Sequence, residues 1–350
     1  MVIVIIAGGS GTRLWPLSQA GHPKHLLSLT NDRSMIQNTY RRAQQSTNDI
    51  YVVTEISHSQ EVRRQLPELD DEHIVVEPGR RGTASCIVLA LARISKTHGE
   101  DEPVIFMHAD HHIADEGSFS HAVRTAAAVS IDQGAIAIVG VTPTYPATGL
   151  GYIECGSKLG TEEGLPFYEV ASFKEKPTID VAKQYYKSGR HLWNQGLFAA
   201  PIKIWTREFK DYAPDYYQGF VDLAAAPEDL PKLTKTYLEL DNMAIDYALF
   251  EHKPHLVVVP ALYDWADIGA FVDLHEILKG SDGNTLQGDV SMINCEDSMI
   301  HASDKPIIAI GLSGIIVVDT PEGLLVCAKE QSQLVGELSK KLQARSVKSK

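Results

Sequence analysis

The chain has 350 residues, 44% hydrophobic and 22% charged, with a formal net charge of -13 at pH 7. That length exceeds an ordinary domain of ~100–150 residues, so one large domain followed by a smaller one is expected. The acidity argues against nonspecific nucleic-acid binding, and no apolar run approaches the ~20 residues of a membrane span, so neither nucleic acid nor membrane is an expected partner.

The opening "MVIVIIA" has no basic leader and runs straight into glycines, which reads as a buried strand, not a secretion signal, and suggests a cytoplasmic protein. Further apolar runs at 50–54, 73–77, 103–110 and 135–141 have the continuous pattern of strands covered on both faces. Amphipathic stretches at 34–45, 57–66 and 83–98 lie between them, the second with Ser57 and Gln60 at capping-box spacing. This is the alternation of an α/β fold with a mostly parallel sheet, in which ligands sit at the carboxyl ends of strands.

From about 145 to 280 Gly/Pro-punctuated strands ("GYIECG", "YEVASFKEKP", "GLFAAP", "HLVVVP") mix with helices expected near 180–188, 202–211, 228–238 and 242–252. After "KGSDGNT" come short strands with tight turns and no long helix until about 331–345. The expected domains are residues 1–280 and a small β domain with a terminal helix at 281–350, the last "KSK" being frayed. Cys86, Cys155, Cys295 and Cys327 lack CxxC spacing, so buried free thiols are expected in place of zinc or disulfides.

The loop "GGSGTRL" at 8–14 fits neither familiar phosphate cradle. A dinucleotide fingerprint begun at Gly9 meets Leu14 where its third glycine belongs, and a P-loop begun at Gly8 meets Arg13 where a glycine belongs. Pro16 and Pro23 oppose a long helix here, which leaves an irregular loop with backbone N–H groups facing a ligand. Arg13 and Lys24, eleven residues apart, add a guanidinium fork and a mobile ammonium, the equipment of phosphoryl or nucleotidyl transfer.

"GGSGTRLWPLSQAGHPKHLL" closely resembles the signature of the sugar-nucleotide pyrophosphorylase family. "VEPGRRGTASCI" (76–87), "MHADHHI" (107–113), "GLGYIE" (149–154), "FKEKP" (173–177), "WNQGLF" (193–198), "AIDYALFE" (244–251) and "WADIG" (265–269) resemble the family's remaining blocks in order. Gly82 is an extra residue or a shift by one in the second block, while His25, Gln195 and Ala244 depart from the residues usual at their places. The resemblance implies a GT-A-like, Rossmann-related nucleotidyltransferase domain with a C-terminal β-helix, and an assembly of at least two copies. It also implies transfer of GMP from GTP to mannose 1-phosphate. The alternatives are another sugar 1-phosphate and nucleotide pair, or a non-catalytic GDP-mannose-binding homologue, which should have lost Arg13, Lys24, Asp110 or Asp267.

Under that resemblance Gly8, Gly9, Gly11 and Thr12 offer backbone donors to the triphosphate, Arg13 holds the departing pyrophosphate, and Lys24 steadies the α-phosphate. Asp110, at the end of a strand run, and Asp267 supply oxygen ligands suited to Mg2+, with His108, His111 and His112 taken as packing or hydrogen-bonding residues. Glu77 accepts from the guanine edge, with Gly82 in the same nucleotide loop. Gly151, Glu175, Lys176 and Asn194 hold the sugar phosphate.

Overall fold

The structure is a computed structural model that describes residues 1–348 apart from residues 10, 20, 227–229 and 253–254. Two residues of the "KSK" end and the first two of the helix expected at 228–238 therefore lie outside the described residues. The chain divides into two compact units: residues 1–7, 39–109 and 113–265, and residues 8–38, 110–112 and 266–350.

The first unit is built on a mixed sheet. Its strands in chain order are β1 (Val2–Ala7), β2 (Ile50–Glu55), β3 (Ile74–Glu77) and β4 (Pro103–His108), and, after a short β5 (His111–Ile113), β6 (Ile136–Val141), β7 (Gly151–Glu162), β8 (Leu165–Lys174), β9 (His191–Pro201) and β10 (Leu256–Pro260). Their spatial order is β3-β2-β1-β4-β9-β6-β10-β8-β7, with β9 also reaching β7. Strands β3, β2, β1 and β4 are parallel neighbours, β9 runs antiparallel to β4 and β6, and β8 is antiparallel to β10.

Every residue of β1 is buried, which is why this run carries no polar alternation. Val2, Val4 and Ile6 join a core with the helices Gly82–Ile94, Ile202–Tyr212 and Pro214–Ala225, so Ile3 and Ile5 face the other side of the sheet. Each such side chain contributes ~1.5–3 kcal/mol of burial. Among the described residues no helix is long and apolar enough to cross a membrane.

Three local readings need correction. The helix expected at 57–66 begins at Ser59, with His58 preceding it and no side-chain cap, because Ser59 Oγ donates to Ile56 O. The helix expected at 242–252 is a single turn at Ile245–Ala248 followed by a 3-10 turn at Phe250–His252. Of the four free thiols only Cys86 is buried; Cys155, Cys295 and Cys327 are partly exposed, on strands or turns with one open side. The helices at Glu116–Gln133 and Pro214–Ala225 were not expected at all.

In the second unit, strands at Thr285–Gln287, Met299–His301 and Ile315–Thr320 stack in parallel, Gly323–Ala328 adds an antiparallel edge, and Val290–Ile293 pairs in parallel with Ile307–Ile310. These are the stacked rungs of a small β-helix. A helix at Phe271–Leu278 and a terminal helix at Val335–Lys348 accompany it. Leu14, Leu29, Met35, Phe271, Leu274, Met299, Ile316 and Val318 form its core. His275, Glu276 and Asp297 approach one another closely enough for a metal ion, and Lys329 Nζ meets Asp297 (2.5 Å) and Glu276 (3.6 Å) in the same place.

Trp205 anchors the first unit's core: it is fully buried, stands edge-on to Phe106 at 5.3 Å between ring centres, and donates from Nε1 to Val104 O. Trp205→Ala is expected to lower the unfolding free energy by ~3–5 kcal/mol, measured by denaturant titration.

Candidate active site

The glycine loop leaves β1 and enters the second unit. Gly9 and Gly11 have φ of 97° and 54°, the left-handed region that glycine adopts without strain. The glycines serve different ends. A Cβ on Gly11 would lie 2.9 Å from Lys24 Cβ and 2.9 Å from Lys24 N, whereas a Cβ on Gly8 or Gly9 would meet nothing within 4 Å. Gly11 is thus required by close packing on Lys24, and Gly8 and Gly9 border open space. Among the described residues the N–H groups of Gly8, Gly9 and Gly11 meet no acceptor. Thr12, Arg13 and Leu14 make one 3-10 turn, whose Thr12 carbonyl accepts from Ser339 Oγ on the terminal helix. Arg13 is exposed, makes no ion pair among the described residues, and lies beside Gly269 and Gly336.

Lys24 follows Pro23 in a second 3-10 turn and is buried, with 7% of its side chain exposed. Its Nζ lies 2.9 Å from Asp110 Oδ2 and 2.8 Å from Asp267 Oδ1. The two acids become neighbours because β5 pairs with β11 (Trp265–Asp267), Asp110 immediately preceding β5. Burial by itself would lower the Lys24 pKa, yet the two carboxylates outweigh it and raise it. Burial would likewise raise the Asp267 carboxyl, but Lys24 outweighs that and holds it below its ordinary value. Each acid engages the ammonium through one oxygen, and the ammonium itself marks a point where positive charge is stabilised. Two convergent carboxylates are the donor set of a hard divalent cation, so these residues fit Mg2+. His111 Nε2 stands 4.0 Å from Asp110 Oδ1.

In the first unit Gly151, Glu175, Lys176 and Asn194 come together. Gly151 and Asn194 are partners in the β7–β9 register. A Cβ on Gly151 would run into Glu175 Oε2 and lie 3.2 Å from Asn194 Cβ, so glycine is needed for this approach. Glu175 is buried and accepts from the exposed Lys176 ammonium at 2.7 Å. The β6–β9 register shifts between Val139 and Gly140, opposite Leu197 and Asn194, and Gly196 there has φ 74°. That bulge turns Asn194, which donates from Nδ2 to Asp246 Oδ1 at 2.8 Å and accepts from Gly196 N at 3.0 Å. Burial, and then Glu175, push the Asp246 carboxyl well above its ordinary value.

Glu77 ends β3 beside Glu55 at the end of β2. It is buried and accepts from the Tyr237 hydroxyl, while Arg80 Nε donates to Glu55 Oε1 at 2.6 Å. Burial pushes the Glu77 carboxyl up to about 7, with Tyr237 opposing. Gly82 has φ 74° and a Cβ there would run into the Met243 backbone. Met243 N in turn donates to Arg81 O at 3.2 Å and Ala84 N to Met243 O at 3.2 Å.

Asp246, Tyr237 and Glu251 escaped the reading of the sequence. Glu251 Oε1 accepts from Glu175 N (3.1 Å) and Lys174 Nζ (3.0 Å). Asp246 and Glu251 stood in plain sight within "AIDYALFE", whereas nothing local marks Tyr237.

Residues 2–282, which carry the parallel-rich sheet, match the family model described as nucleotidyl transferase, and the chain is a nucleotidyltransferase. Residues 288–342 match a MannoseP isomerase/GMP-like beta-helix domain. The chain is 37% identical over 96% of its length to the mannose-1-phosphate guanylyltransferase RfbM of Salmonella typhimurium, of which it covers 71%. It is 33% identical over 97% of its length to the mannose-1-phosphate guanylyltransferase of Escherichia coli K12, of which it covers 73%. A crystal structure described as mannose-1-phosphate geranyltransferase from Thermus thermophilus superposes with a TM-score of 0.88 at 27% identity, covering 98% of this chain and 99% of that one. The chain belongs to the mannose-1-phosphate guanylyltransferase family.

Gly82→Ala is expected to cost ~1–3 kcal/mol, because the new methyl meets backbone and the φ is unfavourable for alanine. Denaturant unfolding beside wild type measures it.

Proposed function

We propose that the protein transfers GMP from GTP to α-D-mannose 1-phosphate, giving GDP-mannose and pyrophosphate. The observation that carries this reading is the buried Lys24 clasped by Asp110 and Asp267 in the same unit as a glycine loop with open N–H donors; the names of the relatives supply the substrates.

An oxygen of the sugar phosphate forms the new bond to the α-phosphorus of GTP, and the bond from that phosphorus to the bridging oxygen breaks as pyrophosphate leaves. The nucleophile is already ionised, so no side chain need take a proton. What the protein must supply is alignment and neutralisation of two polyanions. The N–H groups of Gly8, Gly9, Gly11 and Thr12 receive the triphosphate, and the exposed guanidinium of Arg13 grips the departing pyrophosphate in its planar fork. Lys24, kept charged by its two acids, stabilises negative charge gathering about the α-phosphate. Asp110 and Asp267 would hold Mg2+, which neutralises phosphate charge when bound. Lys176 meets the sugar phosphate, while Glu175 and Asn194 accept from and donate to sugar hydroxyls, their facing edges set by Gly151. Glu77 accepts from N1–H and N2–H2 of guanine, a pair that adenine does not present. Residues 1–280 carry this chemistry and residues 281–350 form the β-helical domain with its terminal helix.

The test is pyrophosphate release with GTP and mannose 1-phosphate, repeated with ATP, UTP and glucose 1-phosphate. Activity confined to the first pair and lost on chelation of divalent cations is expected; equal turnover of another pair overturns the substrate assignment. Lys24→Ala should lower kcat by ~10²–10³-fold in a chain that still folds by circular dichroism. Gly151→Ala, which displaces Glu175, should raise the KM for mannose 1-phosphate by about tenfold while leaving that for GTP within about twofold.

A further inference from the structure

Tyr237 lies on the helix Leu230–Glu239 and is fully buried in the core of the first unit. Its hydroxyl donates to Oε1 of Glu77, a residue 160 positions away at the carboxyl end of β3. Oε2 of the same carboxylate has no hydrogen-bond partner among the described residues and is not among the atoms sealed from solvent. The carboxylate is therefore held by one oxygen and open at the other. A carboxylate offers about four lone-pair sites, so one donor leaves room for the two N–H groups of a guanine edge.

We propose that Tyr237 is a positioning residue for nucleotide selection: its hydroxyl, donating to Oε1, fixes the rotation of the Glu77 carboxylate so that the open edge meets guanine. This inference rests on the assignment of Glu77 to the base.

The groups facing the pair come from four further places. Glu55 at the end of β2 and Arg80 after β3 act on Glu77, while Cys86 on the helix Gly82–Ile94 and Arg81 at the start of that helix act on Tyr237. On Glu77, burial dominates and works upward, Tyr237 works downward, Glu55 upward and Arg80 downward, for a result of about 7. On Tyr237, burial and the Glu77 charge push the phenol far above its ordinary range, so it remains a donor at every pH of interest. Guanine binding is accordingly full when Glu77 is ionised and declines as pH falls through about 7. Removing the Tyr237 hydroxyl removes a downward influence, so the decline sets in at higher pH.

The experiment measures KM and kcat for GTP by pyrophosphate release, between about pH 6 and about pH 8.5. It uses the full chain as wild type, Tyr237→Phe, Glu77→Gln and the double variant. The ratio of variant to wild type at each pH cancels titration of the nucleotide itself. Tyr237→Phe should move the midpoint of the GTP KM profile up by about one unit, which is about a fivefold higher KM at pH 7 that fades as pH rises. The loss should fall on KM and not on kcat. In the Glu77→Gln background the same substitution should leave the profile unchanged.

A KM ratio flat across pH overturns the proposal, because lost packing alone does not titrate. So does an undiminished Tyr237→Phe effect in the Glu77→Gln background. Should Tyr237→Phe alone not fold, the double variant, in which no buried carboxylate loses its donor, keeps that second comparison open. Glu77→Gln with an intact preference for GTP over ATP overturns the base assignment instead, a result read without touching Tyr237.

Discussion

A buried ammonium sets the terms for much of this molecule. Removing Lys24 from water is costly unless opposite charge surrounds it, and breaking such a cluster is far more expensive than never building it. Asp110 and Asp267 meet that need from positions distant in the chain, at 2.9 and 2.8 Å. The second unit accordingly gathers residues 8–38, 110–112 and everything from 266 onward, instead of following chain order. Gly11 belongs to the same constraint, since a methyl there would collide with the Lys24 backbone. The glycine loop is consequently two things at once, a packing surface at Gly11 and an open row of donors at Gly8 and Gly9.

The first unit handles polarity differently. Two of its carboxyls are buried beside neutral donors: Glu77 at the end of β3 against the Tyr237 hydroxyl, and Asp246 on the short Ile245–Ala248 turn against the Asn194 amide. In both places burial raises the carboxyl pKa. Perturbed acids of this kind concentrate where ligands are recognised, because a desolvated acceptor discriminates between correct and incorrect donors more sharply than a hydrated one. Glycine sets the distances again, with Gly151 admitting Glu175 and Gly196 supplying the φ of the bulge that turns Asn194.

How much of this was legible depended on how loudly each element spoke. The strands of the first half were readable because burial on both faces leaves continuous Val and Ile runs. The helix Glu116–Gln133 was not, although Asp115 caps its start and Gly134 its end, because its buried face is largely Ala, Ser and Thr and gives only a faint stripe. The helix Pro214–Ala225 carries Gly219 in its interior, which opposes a helical reading until Leu240 is seen packed against it. Ser57 and Gln60 had capping-box spacing, yet the chain turns one residue later on a bond that no spacing rule foresees.

By itself the sequence determined the alternation of strands and helices, the glycine loop with its two cations, and the family through a set of ordered motifs. These are local properties, written in runs of neighbouring residues. Tertiary structure alone decided which charges share a space: that Lys24 is clasped by Asp110 and Asp267, that Asn194 answers to Asp246, and that Tyr237 holds Glu77. The physical reason is that a hydrogen bond or ion pair depends on distance in space, and residues 160 or 243 positions apart acquire a common distance only when the sheet and the β5–β11 pairing close.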